Sequence, residues 1–156
     1  MAKELVEGDM APDFELPTDG GGQADLKDLM GKPVVIYFYP KDDTSGCTAQ
    51  AIAFNGLRAK FAAAGATVIG ISPDSAVSHD KFKQKHALKI ALAADPERAA
   101  IEAYGVWKEK SMYGRKYFGV ERSTFVIGRD GRIARIWRKV KVPGHAEEVL
   151  AATKAL

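Results

Sequence analysis

Residues 34–48 read VVIYFYPKDDTSGCT, and this stretch decides the architecture. Val34 to Tyr39 is an unbroken run of apolar, β-branched and aromatic residues that stops at Pro40. Such a run is too short for a helix and lacks the polar alternation of a strand with one wet face. It reads as a central strand covered on both sides. A loop follows, and then a helix from about Thr48 to Ala64, closed by Gly65 as its C-terminal stop. At about 100° per residue, Cys47, Ala51, Phe54, Leu57 and Phe61 share one face of that helix, and Ile52 lies on the other side.

Working outward, Thr67 to Ile71 is a second buried strand, ended by Ser72-Pro73. A helix from Asp74 or Ser75 to about Lys85 follows, and another near Pro96 to Tyr104. Thr124 to Ile127 and Ile133 to Trp137 are two further strands joined across Gly128-Arg129-Asp130-Gly131, where the Asp-Gly pair is a hairpin signal. A last helix follows Gly144, with Ala146, Val149, Leu150 and Thr153 at core spacing. Strands alternating with helices predict an α/β layer fold with a partly parallel sheet. Thr18 to Gln23 reads as a turn between short elements.

Composition bounds the chemistry. The 156 residues are 46% hydrophobic and 28% charged, an ordinary globular balance. No repeat, low-complexity block or linker divides the chain, so residues 1–156 are expected to form one domain. Cys47 is the only cysteine. That excludes an internal disulfide and any zinc or iron–sulfur site built from several thiolates. The 23 basic and 20 acidic residues leave a net charge of +3, too small to imply nucleic acid. The N-terminus, Met1 to Asp13, carries Lys3, Glu4, Glu7 and Asp9 and has no apolar core of a signal peptide. No run approaches a membrane span. The expected compartment is the cytoplasm, where a lone thiol stays reduced.

The loop Pro40 to Cys47 leaves the C-terminal end of the first central strand and opens a helix, the place where open α/β sheets bind ligands. A thiol at a helix N-terminus faces unpaired backbone N–H groups and the positive end of the dipole, which favours the nucleophilic thiolate. Against this stands the lone cysteine as a small buried hydrophobe. The Pro-x-x-x-Thr-x-x-Cys spacing tips the balance towards chemistry.

At these residues the chain resembles the peroxiredoxins, AhpC/TSA-like, and within them the bacterioferritin comigratory protein (PrxQ) subfamily. The resemblance rests on PKDDTSGCT (residues 40–48), GDMAPDFELP (8–17), EKSMYGRKYFGVERSTFVI (109–127) and WRKVKVPGH (137–145), and it spans nearly the whole chain. It implies a thioredoxin-like fold, a central mixed sheet flanked by helices. It also implies a thiol-dependent peroxidase that reduces hydrogen peroxide and organic hydroperoxides through a sulfenic acid on Cys47. No cofactor and no metal are implied. Thr44 would hold thiolate and peroxide in line, and Pro40 would shield the pocket. Arg122 would supply a fixed charge and directional donors. The backbone N–H of Gly46 or Cys47 would add a donor, and Gln50 would bond to Arg122. The plain alternatives are an N-cap for Thr44, a strand end for Pro40 and a surface ion pair with Glu121 for Arg122.

The chain departs from the family pattern at Gln50, where members often carry Glu. It departs again at Ile52 and Lys83, the positions where two-cysteine members place a resolving cysteine. The resemblance therefore narrows to the one-cysteine form, recycled by an outside thiol, either thioredoxin or glutathione with glutaredoxin. The expected state is a monomer with no nucleic-acid or membrane partner. A peroxide-responsive redox sensor without rapid turnover is the alternative. A disulfide oxidoreductase is disfavoured because position 50 is Gln rather than the second cysteine of a Cys-x-x-Cys pair.

Other candidates are weaker. His79 and His86 lack the partners of a metal site, and His145 reads as a surface residue. Gly20-Gly21-Gly22 follows no strong strand and is no phosphate loop. Arg129, Arg132, Arg135, Arg138, Lys139 and Lys141 read as a solvated strand edge. Trp107, Tyr113, Tyr117 and Phe118 either line the mouth of the pocket or pack in the core.

Overall fold

The computed structural model describes residues 4–156; Lys3, part of the charged N-terminus, lies outside them. The central sheet has five strands: β3 (Val34–Phe38), β4 (Thr67–Ser72), β5 (Ala91–Ala94), β8 (Ser123–Ile127) and β9 (Ile133–Trp137), in the order β5-β4-β3-β8-β9. β3, β4 and β5 are parallel, and β8 and β9 are antiparallel additions. A short hairpin of β1 (Glu15–Pro17) and β2 (Gln23–Asp25) and a longer one of β6 (Trp107–Met112) and β7 (Arg115–Val120) stand apart from this sheet. The helices are α1 (Ser45–Gly56), α2 (Arg58–Ala63), α3 (Ala76–His86), α4 (Ala99–Ala103) and α5 (His145–Lys154).

The continuous apolar run of β3 serves two cores. Val34, Ile36 and Phe38 pack with Phe14, Ile101, Tyr104 and Phe125 on one face of the sheet. Val35 and Tyr37, with Tyr39 just beyond the strand, pack with Cys47, Phe54, Phe61 and Val149 on the other. Every residue of β3 is buried, which is why the strand shows no polar alternation. Its C-terminal end delivers the chain into the loop that carries Cys47.

The expected single helix from Thr48 to Ala64 is two helices. The backbone at Leu57 leaves helical geometry (φ −101°, ψ 4°), directly after Gly56, a poor residue for a helix interior. The second piece ends where expected, with Gly65 in the left-handed conformation (φ +79°) that suits glycine past a helix end. On the predicted face Cys47, Ala51, Phe54 and Phe61 are buried and Leu57 is half-buried, while Ile52 is 50% exposed.

Candidate active site

Cys47 is the third residue of α1, with its side chain buried under the loop. The first i→i−4 bond of the helix runs from the Thr48 N–H to the Thr44 carbonyl at 2.8 Å, so the N–H groups of Ser45, Gly46 and Cys47 have no intrahelical acceptor. These donors stand at the positive end of the helix whose first turn holds Cys47.

Arg122 comes from the short connection between β7 and β8. Its backbone carbonyl accepts from the Val140 N–H at 3.0 Å, and the Glu121 N–H donates to the Val106 carbonyl at 2.8 Å, so both sides of the connection are tied down. From there Nη2 reaches to 3.3 Å from Cys47 Sγ, and Nη1 donates to Gln50 Oε1 at 2.5 Å. Gln50 is buried one turn beyond Cys47, and its amide nitrogen has no partner among the described residues. The guanidinium is thus held by its neighbour on α1 with one edge turned to the sulfur. Gly46 makes room for it: a Cβ there would sit 3.2 Å from Arg122 Nη2.

Thr44 occupies the N-cap position of α1, yet its side chain bonds to no helix N–H. Its hydroxyl instead donates to the Lys41 carbonyl at 2.9 Å, which turns the oxygen lone pairs outward at an exposed position. Pro40 is half-buried where β3 gives way to the loop.

Two groups near the sulfur had no signal in the sequence. The half-buried Lys110 of β6 lays its Cδ and Cε along Gly119, 3.6 Å from where a Cβ there would be. Burial first, and then the Arg122 charge, hold its ammonium below the ordinary lysine range, with Glu121 and Cys47 opposing. Asp42, buried five residues before Cys47, accepts from Tyr39 Oη at 2.6 Å and Ser78 Oγ at 2.7 Å and faces His79 Nδ1 at 2.7 Å. Burial would raise its carboxyl, but the contacts with His79, Tyr39 and Ser78 outweigh that and hold it below the usual carboxylate range.

Several expectations need correction. His145 is buried, not at the surface. Nε2 lies 2.8 Å from Thr124 Oγ1, with Phe54 and Trp137 edge-on to the ring. His79 is also fully buried, in the Asp42 cluster. Tyr113, Tyr117 and Phe118 are exposed on the β6–β7 hairpin rather than packed in the core, and Trp107 is half-buried, stacked on Phe118. Lys83 forms an ion pair with Asp19 at 2.7 Å. Of the basic run, Arg135 lies on β9, an edge of the sheet, and the other residues flank that strand; Arg135 and Arg138 pair with Glu7 and Glu4.

Comparison with known proteins places these features in a family. Residues 7–136 match the model of the AhpC/TSA family. Peroxiredoxin Bcp of Bacillus subtilis is 48% identical over 147 residues, covering 94% of this chain and 94% of that protein. Peroxiredoxin Bcp of Xanthomonas campestris is 48% identical over 147 residues, covering 93% and 92%. A solved structure of the Xanthomonas campestris bacterioferritin comigratory protein, from work on its alkyl peroxide reduction activity, superposes with a TM-score of 0.87. It is 46% identical and covers 91% of this chain and 90% of that one.

Proposed function

Because the chain belongs to the AhpC/TSA family and is a peroxiredoxin, a thiol-dependent peroxidase with a thioredoxin-like fold, we propose that Cys47 is its peroxide-reducing thiol and that Arg122, Gln50, Gly46, Thr44 and Pro40 complete the site. The observation that carries this reading is the 3.3 Å approach of Arg122 Nη2 to the only cysteine sulfur in the chain, at the start of α1.

The chemistry follows from the contacts. The Cys47 thiolate attacks the terminal oxygen of a hydroperoxide. An S–O bond forms, the O–O bond breaks, and sulfur gives up two electrons. The departing oxygen takes a proton and leaves as water or an alcohol, and Cys47 remains as a sulfenic acid. Negative charge moves from sulfur to the leaving oxygen during this step. The Arg122 guanidinium is fixed by Gln50, so it meets both ends of that movement without reorganising. The free N–H groups of Gly46 and Cys47 add donors, with Gly46 also clearing the space Arg122 occupies. The Thr44 proton is committed to Lys41, so its oxygen is free to accept from the peroxide O–H and orient it. Pro40 has no N–H to compete for the substrate and covers the strand end.

Recycling uses an external thiol. The thiol condenses with the sulfenic acid, releasing water and leaving a mixed disulfide, and a second thiol then frees the Cys47 thiolate. The reading extends to thioredoxin, or glutathione with glutaredoxin, as that reductant. It includes a monomeric, single-domain protein working in the reducing cytoplasm, since a free catalytic thiol needs a thiol pool to restore it.

The test is peroxide consumption with excess reductant. Cys47→Ser is expected to abolish it, and parent-level consumption by that variant would remove Cys47 from the reaction. Arg122→Ala, folded, is expected to slow Cys47 oxidation by roughly 10²–10³, the usual effect of losing a preorganised charge contact. Unchanged kinetics would take Arg122 out of the site. A folded parent protein that oxidises with peroxide but does not turn over with any thiol would favour the sensor.

A further inference from the structure

Two consecutive residues of the loop that leads to Cys47 are fastened to opposite ends of α3. Asp42 binds its first turns, with Oδ2 2.7 Å from both Ser78 Oγ and His79 Nδ1. The Asp42 N–H also donates to Asp74 Oδ2 at 2.8 Å, just ahead of the helix. Asp43 binds the last turn: Oδ2 accepts from Lys85 Nζ at 2.7 Å and Oδ1 lies 2.9 Å from His86 Nε2. His79 carries the attachment onward, with Nε2 3.0 Å from the Ala93 carbonyl of β5. The helix is itself pinned from its other side. Lys83 pairs with Asp19, and Asp80 Oδ1 accepts from the Gly20 N–H at 2.6 Å.

Asp43 is also conformationally strained. Its φ is +59°, a left-handed backbone uncommon for residues with a Cβ, though Asp is among those that enter it most readily. It precedes Cys47 by four residues and is exposed, so core packing does not supply the restraint. The loop stands over a cleft of about 370 Å³ lined by Asp42, Asp43, Ser78, Phe82 and Lys85. Without its anchors the loop has space to move into.

We propose that α3 is a clamp on the Cys47 loop, and that Asp43, held in its left-handed conformation by Lys85 and His86, is a positioning residue for the reaction of Cys47 with peroxide. The proposal rests on Cys47 being the nucleophile. Asp42 sets the depth of the loop and Asp43 its direction, so together they fix where α1 begins and where the sulfur stands against Arg122. A displaced sulfur loses the in-line geometry that peroxide attack needs, and it also loses the cover that keeps it buried.

These two consequences have opposite signs, which separates the clamp from a general stabilising role. The experiment compares Cys47 oxidation by hydrogen peroxide with Cys47 alkylation by iodoacetamide, under conditions where circular dichroism shows a parent-like fold. In Lys85→Gln/His86→Gln the ratio of alkylation rate to oxidation rate should rise about tenfold or more, since small misplacements of reacting atoms cost that much or more. Lys85→Arg, which keeps a cation on Asp43, should hold a ratio near the parent's. Should the double variant fold poorly, Asp43→Asn tests the same contacts from the loop side. An unchanged ratio in these variants, or an equal rise in Lys85→Arg, overturns the clamp. Peroxide consumption by Cys47→Ser would instead overturn the assignment of the nucleophile, so the two failures are distinguishable.

Discussion

Gly70 shows how one residue of the sheet reaches the site. It lies in β4 opposite Tyr37 of β3, and a Cβ there would fall 2.6 Å from Tyr37 Cζ and 2.7 Å from its hydroxyl. The missing side chain is the seat of the Tyr37 ring. That ring stacks on Phe54 at 4.7 Å, and Phe54 belongs to α1, the helix that begins around Cys47. Gly70→Ala should therefore cost about 1–3 kcal/mol, the usual range for overpacking a filled core, read as a lower urea midpoint. The Tyr37 hydroxyl is buried without a partner, and burial pushes the phenol far above its ordinary range, so it stays protonated. Deleting it in Tyr37→Phe removes an unsatisfied group and one of the two Tyr37 atoms that crowd the new methyl. Gly70→Ala/Tyr37→Phe is expected to recover part of the loss. A double variant no more stable than Gly70→Ala alone would show that the clash lies with the ring carbons and Leu92.

At the scale of elements, legibility in the sequence followed burial. β3, β4 and β8 were readable because strands in the interior of a sheet are runs of β-branched and aromatic residues, the edge strand β9 because a hairpin signal joins it to β8, and α5 because its buried residues keep helical spacing. The β6–β7 hairpin was not. Its residues WKEKSM and RKYFGV are mostly exposed, so no burial pattern marks them as strands. β5 is alanine-rich and short, and its strand character comes from pairing with β4. The Cys47 loop and Arg122 were singled out through family resemblance, and the structure brings Arg122 to the sulfur, whereas the attachments of Asp42 and Asp43 to α3 join charges distant in sequence and carry no local pattern. His145 failed for a related reason: it follows Gly144 as a surface residue might, but α5 lays it against Thr124 and Trp137. Burial holds its imidazole below the ordinary histidine value, with Glu148 opposing and Arg122 reinforcing. The native state thus stays neutral where the unfolded chain already binds a proton. Its contribution to stability is complete above about pH 6.5 and is lost as pH falls from there towards the native value. The urea midpoint should drop between about pH 7.5 and 5.5, a window in which histidine titrates, and His145→Gln should drop less. Equal slopes in the two proteins would show that other groups carry the dependence.

At the scale of the whole molecule, the fold buries the chain's one cysteine and offers it no second thiol to bond to. The positions where two-cysteine relatives resolve the sulfenic acid hold Ile52, which is 50% exposed on the far side of α1, and Lys83, whose ammonium is engaged by Asp19. Replacing either with a thiol would therefore not only add a cysteine; at position 83 it would also remove one of the contacts between the β1–β2 turn and α3, leaving Asp80 on the Gly20 N–H. Cys47 is 1% exposed, so a second copy of the chain cannot reach its sulfur without opening the loop. Oxidation should consequently stop at the sulfenic acid until a thiol arrives, and continue to sulfinic acid when peroxide is in excess. Intact-mass measurement after one equivalent of peroxide checks this. The expected species is the monomer with one added oxygen, converted by glutathione into a mixed disulfide and by further thiol into the starting protein. With several equivalents of peroxide and no thiol, a second added oxygen that no thiol removes should accumulate. Rapid and complete formation of a Cys47–Cys47 dimer would contradict the buried sulfur, and would mean that the loop opens on oxidation far enough for a partner chain to act as the resolving thiol.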